Sequence, residues 1–135
     1  MMEILQIPEK NHTPRILLDP RAGVFEFEGI SLPEDLFAFY TPVLEWFDGY
    51  LSAIKQAGNQ QKYPPPKVTF KLHYYNSGSV RMLIFILQKL KMISDIQPET
   101  LLEWYYEEED LHILENGKDL AELTGVTFQF KVLKD

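Results

Sequence analysis

Hydrophobic and polar positions alternate along this chain in two different periods, and the switches between them mark its elements. Arg15 to Asp19 (RILLD) and Val24 to Gly29 (VFEFEG) are short β-rich runs, separated by a turn that holds Pro20 and Gly23. The second run sets Val24, Glu26 and Glu28 against Phe25 and Phe27, which predicts a hairpin with one wet face and one buried face. Beyond Ser31 the period lengthens. Leu36, Tyr40, Val43, Phe47, Leu51 and Ile54 recur every third or fourth residue, the stripe of a helix packed on a core. Ser31 is placed to cap it, Pro33 suits its first turn, and Glu34 and Asp35 favour its positive end. Pro42 predicts a kink, or a junction between an N-terminal turn and the main helix. Gly58 ends the helix, and Asn59 to Pro66 is a polar, proline-rich loop.

Lys67 to Tyr75 alternates again, with Val68, Phe70, Leu72 and Tyr74 on one face. A second helix, apolar almost all round, runs from Gly78 or Ser79 to Ile93, and Leu101 to Glu107 is a fourth strand. Glu109 to Leu123 reads as helical through Leu111, Leu114, Leu120 and Leu123, with Gly117 as a point of interruption and Gly125 as the stop. Val126 to Leu133 is the final strand. The order ββαβαβαβ implies right-handed crossovers onto a mainly parallel sheet of about five strands, with the opening hairpin antiparallel at one edge. The expected class is therefore α/β, with helices packed against a mixed sheet. No repeat or linker divides the sequence, so residues 1–135 read as one domain.

Composition narrows the chemistry. The chain has no cysteine, which excludes disulfides, zinc-thiolate centres and thiol nucleophiles. Its formal net charge of −7, with scattered lysines and arginines, argues against nucleic acid and anionic membrane as partners. The most apolar run, Val80 to Leu87, contains Arg81 and is followed by Gln88, Lys89 and Lys91, too short and too polar to span a bilayer. The opening MMEILQIPEKNHTP lacks the pattern of a signal peptide. The expectation is a soluble cytoplasmic protein without a cofactor.

The joint between the third strand and the second helix reads Asn76-Ser77-Gly78-Ser79. A serine nucleophile there lacks the glycine pattern of a nucleophile elbow, and His12, His73 and His112 share no motif with it. A phosphate cradle would need more glycine and a following Lys-Ser/Thr. Two readings remain from the residues alone: capping of the helix by Asn76, Ser77 or Ser79, and a hydroxyl that accepts a phosphate. The acidic run Glu107 to Asp110 suggests a magnesium-dependent enzyme using Glu107, Glu109 and Asp110, or a solvated turn whose last acids favour a helix start. No histidine spacing suits zinc or iron. The aromatic cluster Phe37, Phe39, Tyr40, Trp46, Phe47 and Tyr50 exceeds what one stripe needs, so part of it is a candidate protein interface.

Three stretches, taken in order, resemble the SiaC family of regulatory phosphoproteins, small domains with a STAS-like, anti-sigma-factor-antagonist-like fold. They are TPRILLDPRAGVFEFEGISLPEDLFAFYTPVLEW, KLHYYNSGSVRML and LEWYYEEEDLHILENGKDLAEL. The resemblance implies a non-enzymatic partner-switching regulator. A dedicated protein kinase would phosphorylate it and a PP2C-type phosphatase would reverse this; the unphosphorylated form would bind and activate a diguanylate cyclase in cyclic-di-GMP and biofilm signalling. By position the acceptor is Ser77, in place of the family's threonine, with Ser79 in reserve. Asn76, Ser77, Gly78, Ser79 and Arg81 form the implied partner-binding segment. Gly78 departs from the family's serine and brings the stretch closer to the Ser-Gly of the anti-sigma-factor antagonists. The alternatives are a constitutive protein-binding subunit without a switch, and the metal-dependent enzyme of the acidic turn.

Overall fold

The structure, a computed structural model, describes residues 2–57 and 63–134. Its elements run β1 (Leu5–Ile7), β2 (Arg15–Asp19), β3 (Val24–Ser31), α1 (Leu36–Ala57), β4 (Lys67–Tyr75), α2 (Ser77–Ile96), β5 (Leu101–Glu107), α3 (Leu111–Thr124) and β6 (Phe128–Leu133). The strands form a six-stranded sheet in the order β1-β2-β3-β4-β5-β6. The first two pairings are antiparallel and the last three parallel. The α/β class and the mixed sheet are as the periodicity predicts. The strand count is six rather than about five, because Leu5–Ile7 pairs with Ile16–Leu18 at the edge. Three residues are too few to leave a periodic signal.

Each parallel connection steps to the next strand in the same direction, so right-handed crossovers set all three helices on one face. That face carries the core: Phe25 and Phe27 of β3, Val68, Phe70 and Leu72 of β4, Leu102 and Trp104 of β5, under Tyr40, Val43, Phe47 and Tyr50 of α1 and Met82, Leu83, Ile86 and Leu87 of α2. Phe27 stacks on Phe70 at 4.7 Å between ring centres. The opposite face is polar. There Glu103 is buried under charged neighbours, its carboxylate 2.6 Å from Lys131 Nζ and 3.7 Å from Lys67 Nζ, with Tyr105 donating a 3.0 Å hydrogen bond.

Several local expectations change in the structure. Ser31 ends β3 and does not cap α1. Asp35 takes that role, its Oδ1 accepting from the Ala38 N–H at 3.0 Å. The helix runs unbroken through Pro42. A proline there lacks the N–H that would bond the Ala38 carbonyl, but both residues are exposed, so water can satisfy that group. Helix α3 likewise continues through Gly117, where a side chain is excluded: a Cβ would lie 2.5 Å from Nε1 of Trp104. Gly125 stops α3 in the left-handed conformation, φ 84°. Gly58, expected to end α1, and residues 59–62 of the expected loop lie outside the described residues.

The most consequential change is in β4. Gly29 aligns with Leu72 but Ile30 aligns with Tyr74, so His73 is an extra residue in the pairing. Inserting one residue inverts the alternation beyond it. Tyr74, expected on the core face, is therefore 55% exposed, and Tyr75 turns inward.

Candidate functional site

β4 ends at Tyr75 and α2 begins two residues later, so Asn76 carries the whole turn. Its backbone is extended (φ −90°, ψ 175°), and its Oδ1 accepts from the Ser79 N–H at 2.8 Å. Asn76 is the cap of α2, and Ser77 its first residue. Of the capping alternatives, Asn76 is therefore the one used. The helix starts one or two residues earlier than periodicity suggests, because the apolar pattern begins only after the capping turn.

Ser77 is exposed, with its hydroxyl outside the capping bond. Ser79, two residues on, is fully buried. Its Oγ donates to the Ser31 carbonyl at 2.9 Å and lies 2.7 Å from Ser31 Oγ, which in turn sits 2.5 Å from the Tyr40 hydroxyl. With that proton spent, one direction satisfies all three hydroxyls: Tyr40 donates to Ser31, Ser31 to Ser79, and Ser79 to the carbonyl. Burial pushes the Tyr40 hydroxyl above its ordinary pKa despite these bonds, so it stays a donor. The network ties the end of β3, the second turn of α1 and the first turn of α2 together beneath Ser77. Gly78 completes the junction: a Cβ there would come within 3.0 Å of Leu36 Cδ2. A side chain at this position meets the tip of Leu36, which must give way by a few tenths of an ångström.

Arg81 is exposed one turn after Ser77, and Phe85 is 40% exposed a turn further on. Spacings of four place the three side chains on one face of α2. Met92 and Ile96 extend this solvent-facing stripe. Phe37 at the start of α1 is 66% exposed, the member of the aromatic cluster that packing does not absorb.

On the other side of Ser77 lies an open cleft of about 310 Å³, bounded by the end of β4, the start of α2 and the first turns of α3. His73, Tyr75, Ser77, Asp110, His112 and Asn116 contribute to its walls. Asn116 Nδ2 donates to the Tyr75 hydroxyl at 3.0 Å. Burial, with a smaller contribution from Asp110, pushes that hydroxyl above its ordinary pKa, against the lowering effect of the Asn116 bond. Sequence reasoning missed Tyr75, His112 and Asn116, since they converge only through the register change in β4 and the packing of α3 beside β5.

The acidic run is dispersed. Glu107 ends β5 and pairs with His73 Nδ1 at 3.3 Å, Glu108 and Glu109 form an exposed turn, and Asp110 Oδ1 caps α3 by accepting from the Ile113 N–H at 3.1 Å. Among the described residues no group of three or more histidines, aspartates or glutamates is arranged to hold a metal ion, and no helix is long and apolar enough to cross a membrane.

Comparison with known proteins agrees with this geometry. An uncharacterized protein of Pseudomonas aeruginosa (strain UCBPP-PA14) is 26% identical over 121 residues, 90% of each chain. The crystal structure of apo-SiaC from Pseudomonas aeruginosa superposes with a TM-score of 0.78 at 25% identity, covering 98% of this chain and all of the other. A chain in the crystal structure of diguanylate cyclase SiaD in complex with its activator SiaC, from the same organism, superposes with a TM-score of 0.80 at 23% identity, covering 96% and 99%. Residues 7–133 match the model of the SiaC family, and the chain belongs to that family of regulatory phosphoproteins.

Proposed function

We propose that this chain is a single-domain, non-enzymatic partner switch of the cytoplasm, controlled by reversible phosphorylation of Ser77. A protein kinase places the phosphate and a PP2C-type phosphatase removes it; the unphosphorylated protein binds and activates a diguanylate cyclase. The observation that carries this reading is the contrast within one motif: Ser77 is exposed at the head of α2 while Ser79 is buried in a closed hydrogen-bond network. A modifying enzyme can reach only the first without unwinding the helix start. The similarity in fold to a chain from the complex of diguanylate cyclase SiaD with its activator SiaC supports the choice of partner.

The docking surface in this reading begins at Asn76, Ser77 and Gly78 and continues through Arg81, with Ser79 supporting it from beneath. A phosphate adds roughly two negative charges and three acceptor oxygens that a docked partner must desolvate. Moving a complex from about 99:1 bound to 1:99 takes about 5.5 kcal/mol of differential binding, which charge burial together with steric conflict can approach.

Binding of the diguanylate cyclase to Ser77→Ala and Ser77→Asp proteins, measured by calorimetry, tests the switch. The alanine protein should bind as the unmodified one does, and the aspartate protein at least tenfold more weakly. Equal affinity of the two would leave the constitutive subunit as the better account. Mass spectrometry of the protein from its native cells, before and after phosphatase treatment, should find one removable phosphate on the Ser77 peptide.

A further inference from the structure

The cleft beside Ser77 has unspent hydrogen-bonding capacity. Tyr75 is 9% exposed, and its hydroxyl accepts from Asn116 but has no acceptor for its own proton among the described residues. Water in the open cleft can take this proton, and so can a stronger acceptor held there. The charged and titratable groups around the space come from four elements. His73 and the exposed Tyr74 come from β4, Glu107 from the end of β5, Asp110 and His112 from the start of α3, and Ser77 from α2. Both acids are engaged, Glu107 with His73 and Asp110 with the α3 backbone. The first turns of α2 and α3, helices of 20 and 14 residues, open onto the same space with their positive ends.

The cleft thus offers two donors, the Tyr75 hydroxyl and the His112 imidazole, beside the engaged carboxylates of Glu107 and Asp110, and the residue on its rim is the proposed phosphoacceptor. Building on that assignment of Ser77, we infer that the phosphate, once attached, folds back into the cleft, takes the Tyr75 proton in a hydrogen bond and lies against His112 and His73. The ligand class is a phosphate monoester, supplied by the chain itself. The phosphorylated state then has its own bound conformation, with the cleft filled and the phosphate at the edge of the α2 docking surface.

The test uses the full chain with phosphoserine installed at position 77 during translation, beside the unmodified protein, with imidazole resonances followed by NMR across pH. A dianion within about 4–6 Å should raise the His112 pKa by about one unit or more, with a rise at His73 as well. Tyr75→Phe should shrink the rise. His112→Gln, at an exposed position, should move the phosphate's second ionisation by ³¹P NMR toward its value in the urea-unfolded chain. Identical titration of His112 and His73 in the two forms would overturn the inference, while leaving the Ser77 switch to its binding test. Inorganic phosphate added to unmodified protein should leave the histidines unmoved. An equal response to the free ion would make the cleft a general anion site and overturn the intramolecular reading.

Discussion

Ser77 and Ser79 are two residues apart in sequence and on opposite sides of α2, because two steps of about 100° turn the helix by about 200°. The phase of the helix decides which hydroxyl meets solvent, and that phase depends on Asn76, not Ser79, being the cap. The motif itself was legible in the sequence; the division of labour inside it was not, since the apolar pattern alone allows the helix to start at either Gly78 or Ser79. Ser77→Ala should therefore abolish phosphorylation by the kinase, without transfer of the label to Ser79, as peptide mass spectrometry would show. Ser79→Ala should instead act on stability. It leaves the Ser31 hydroxyl without its acceptor in a buried setting, a loss of about 1–3 kcal/mol in urea unfolding. Gly117 is a second case of a residue whose role only packing reveals. Replacing a helical glycine by alanine ordinarily gains about 1 kcal/mol, but here the added methyl would meet the Trp104 ring, itself fixed by a 3.0 Å hydrogen bond to the Ile113 carbonyl. Overpacking of this kind costs about 1–3 kcal/mol, so Gly117→Ala should be net destabilising, and an unchanged urea midpoint would show that the indole can move.

Among the elements, long periodic segments were read well and short or offset ones were not. β2 and β5 begin and end where alternation predicts, and α1 follows its stripe of Leu36, Tyr40, Val43, Phe47, Leu51 and Ile54. β1 was missed because three residues carry no period, and the end of β4 was misassigned because one extra residue, His73, is visible only in its pairing with β3. That single offset places Tyr75 in the cleft, so the site depended on a feature that no one-strand pattern contains. β5 carries a further element-level consequence. Burial tends to raise the Glu103 carboxyl pKa, but hydrogen bonds from Lys131 and Tyr105, together with the charge of Lys67, outweigh it and hold the group below its ordinary 4.5. A depressed carboxylate contributes stability that is complete above the unfolded-state value and lost as pH falls through the folded one. The protein should accordingly lose stability on acidification below about pH 4.5. Glu103→Gln should lower stability at neutral pH and flatten this acid limb, compared by urea unfolding at a series of pH values. An acid limb identical in the two proteins would place the acid-sensitive group elsewhere.

At the scale of the molecule, the sheet order sets what Ser77 can do. Ser77 follows the carboxyl end of a central parallel strand, the end of an open α/β sheet where loops and helix starts come together at the surface. From there the exposed stripe Ser77, Arg81, Phe85, Met92 and Ile96 runs along α2. The chain already carries a net charge of −7, and a phosphate makes it more negative, so two mechanisms of release must be separated. Long-range repulsion between an acidic domain and an acidic partner would be screened within a Debye length, about 10 Å at 0.1 M salt and 3 Å at 1 M. A phosphate covered by the partner acts at contact, through desolvation and bulk, and escapes most of that screening. Ser77 shares its helix face with Arg81 and Phe85, so the contact mechanism is the expected one. The affinity difference between Ser77→Ala and Ser77→Asp proteins for the diguanylate cyclase should then persist, within about threefold, when salt is raised from 0.1 M to 1 M. Phe85→Ala should weaken the same complex by about tenfold, about 1.4 kcal/mol, without changing the urea midpoint, since the ring is 40% exposed in the free protein. Collapse of the Ala/Asp difference at high salt, with Phe85→Ala binding normally, would move the partner off α2 and make the switch one of net charge.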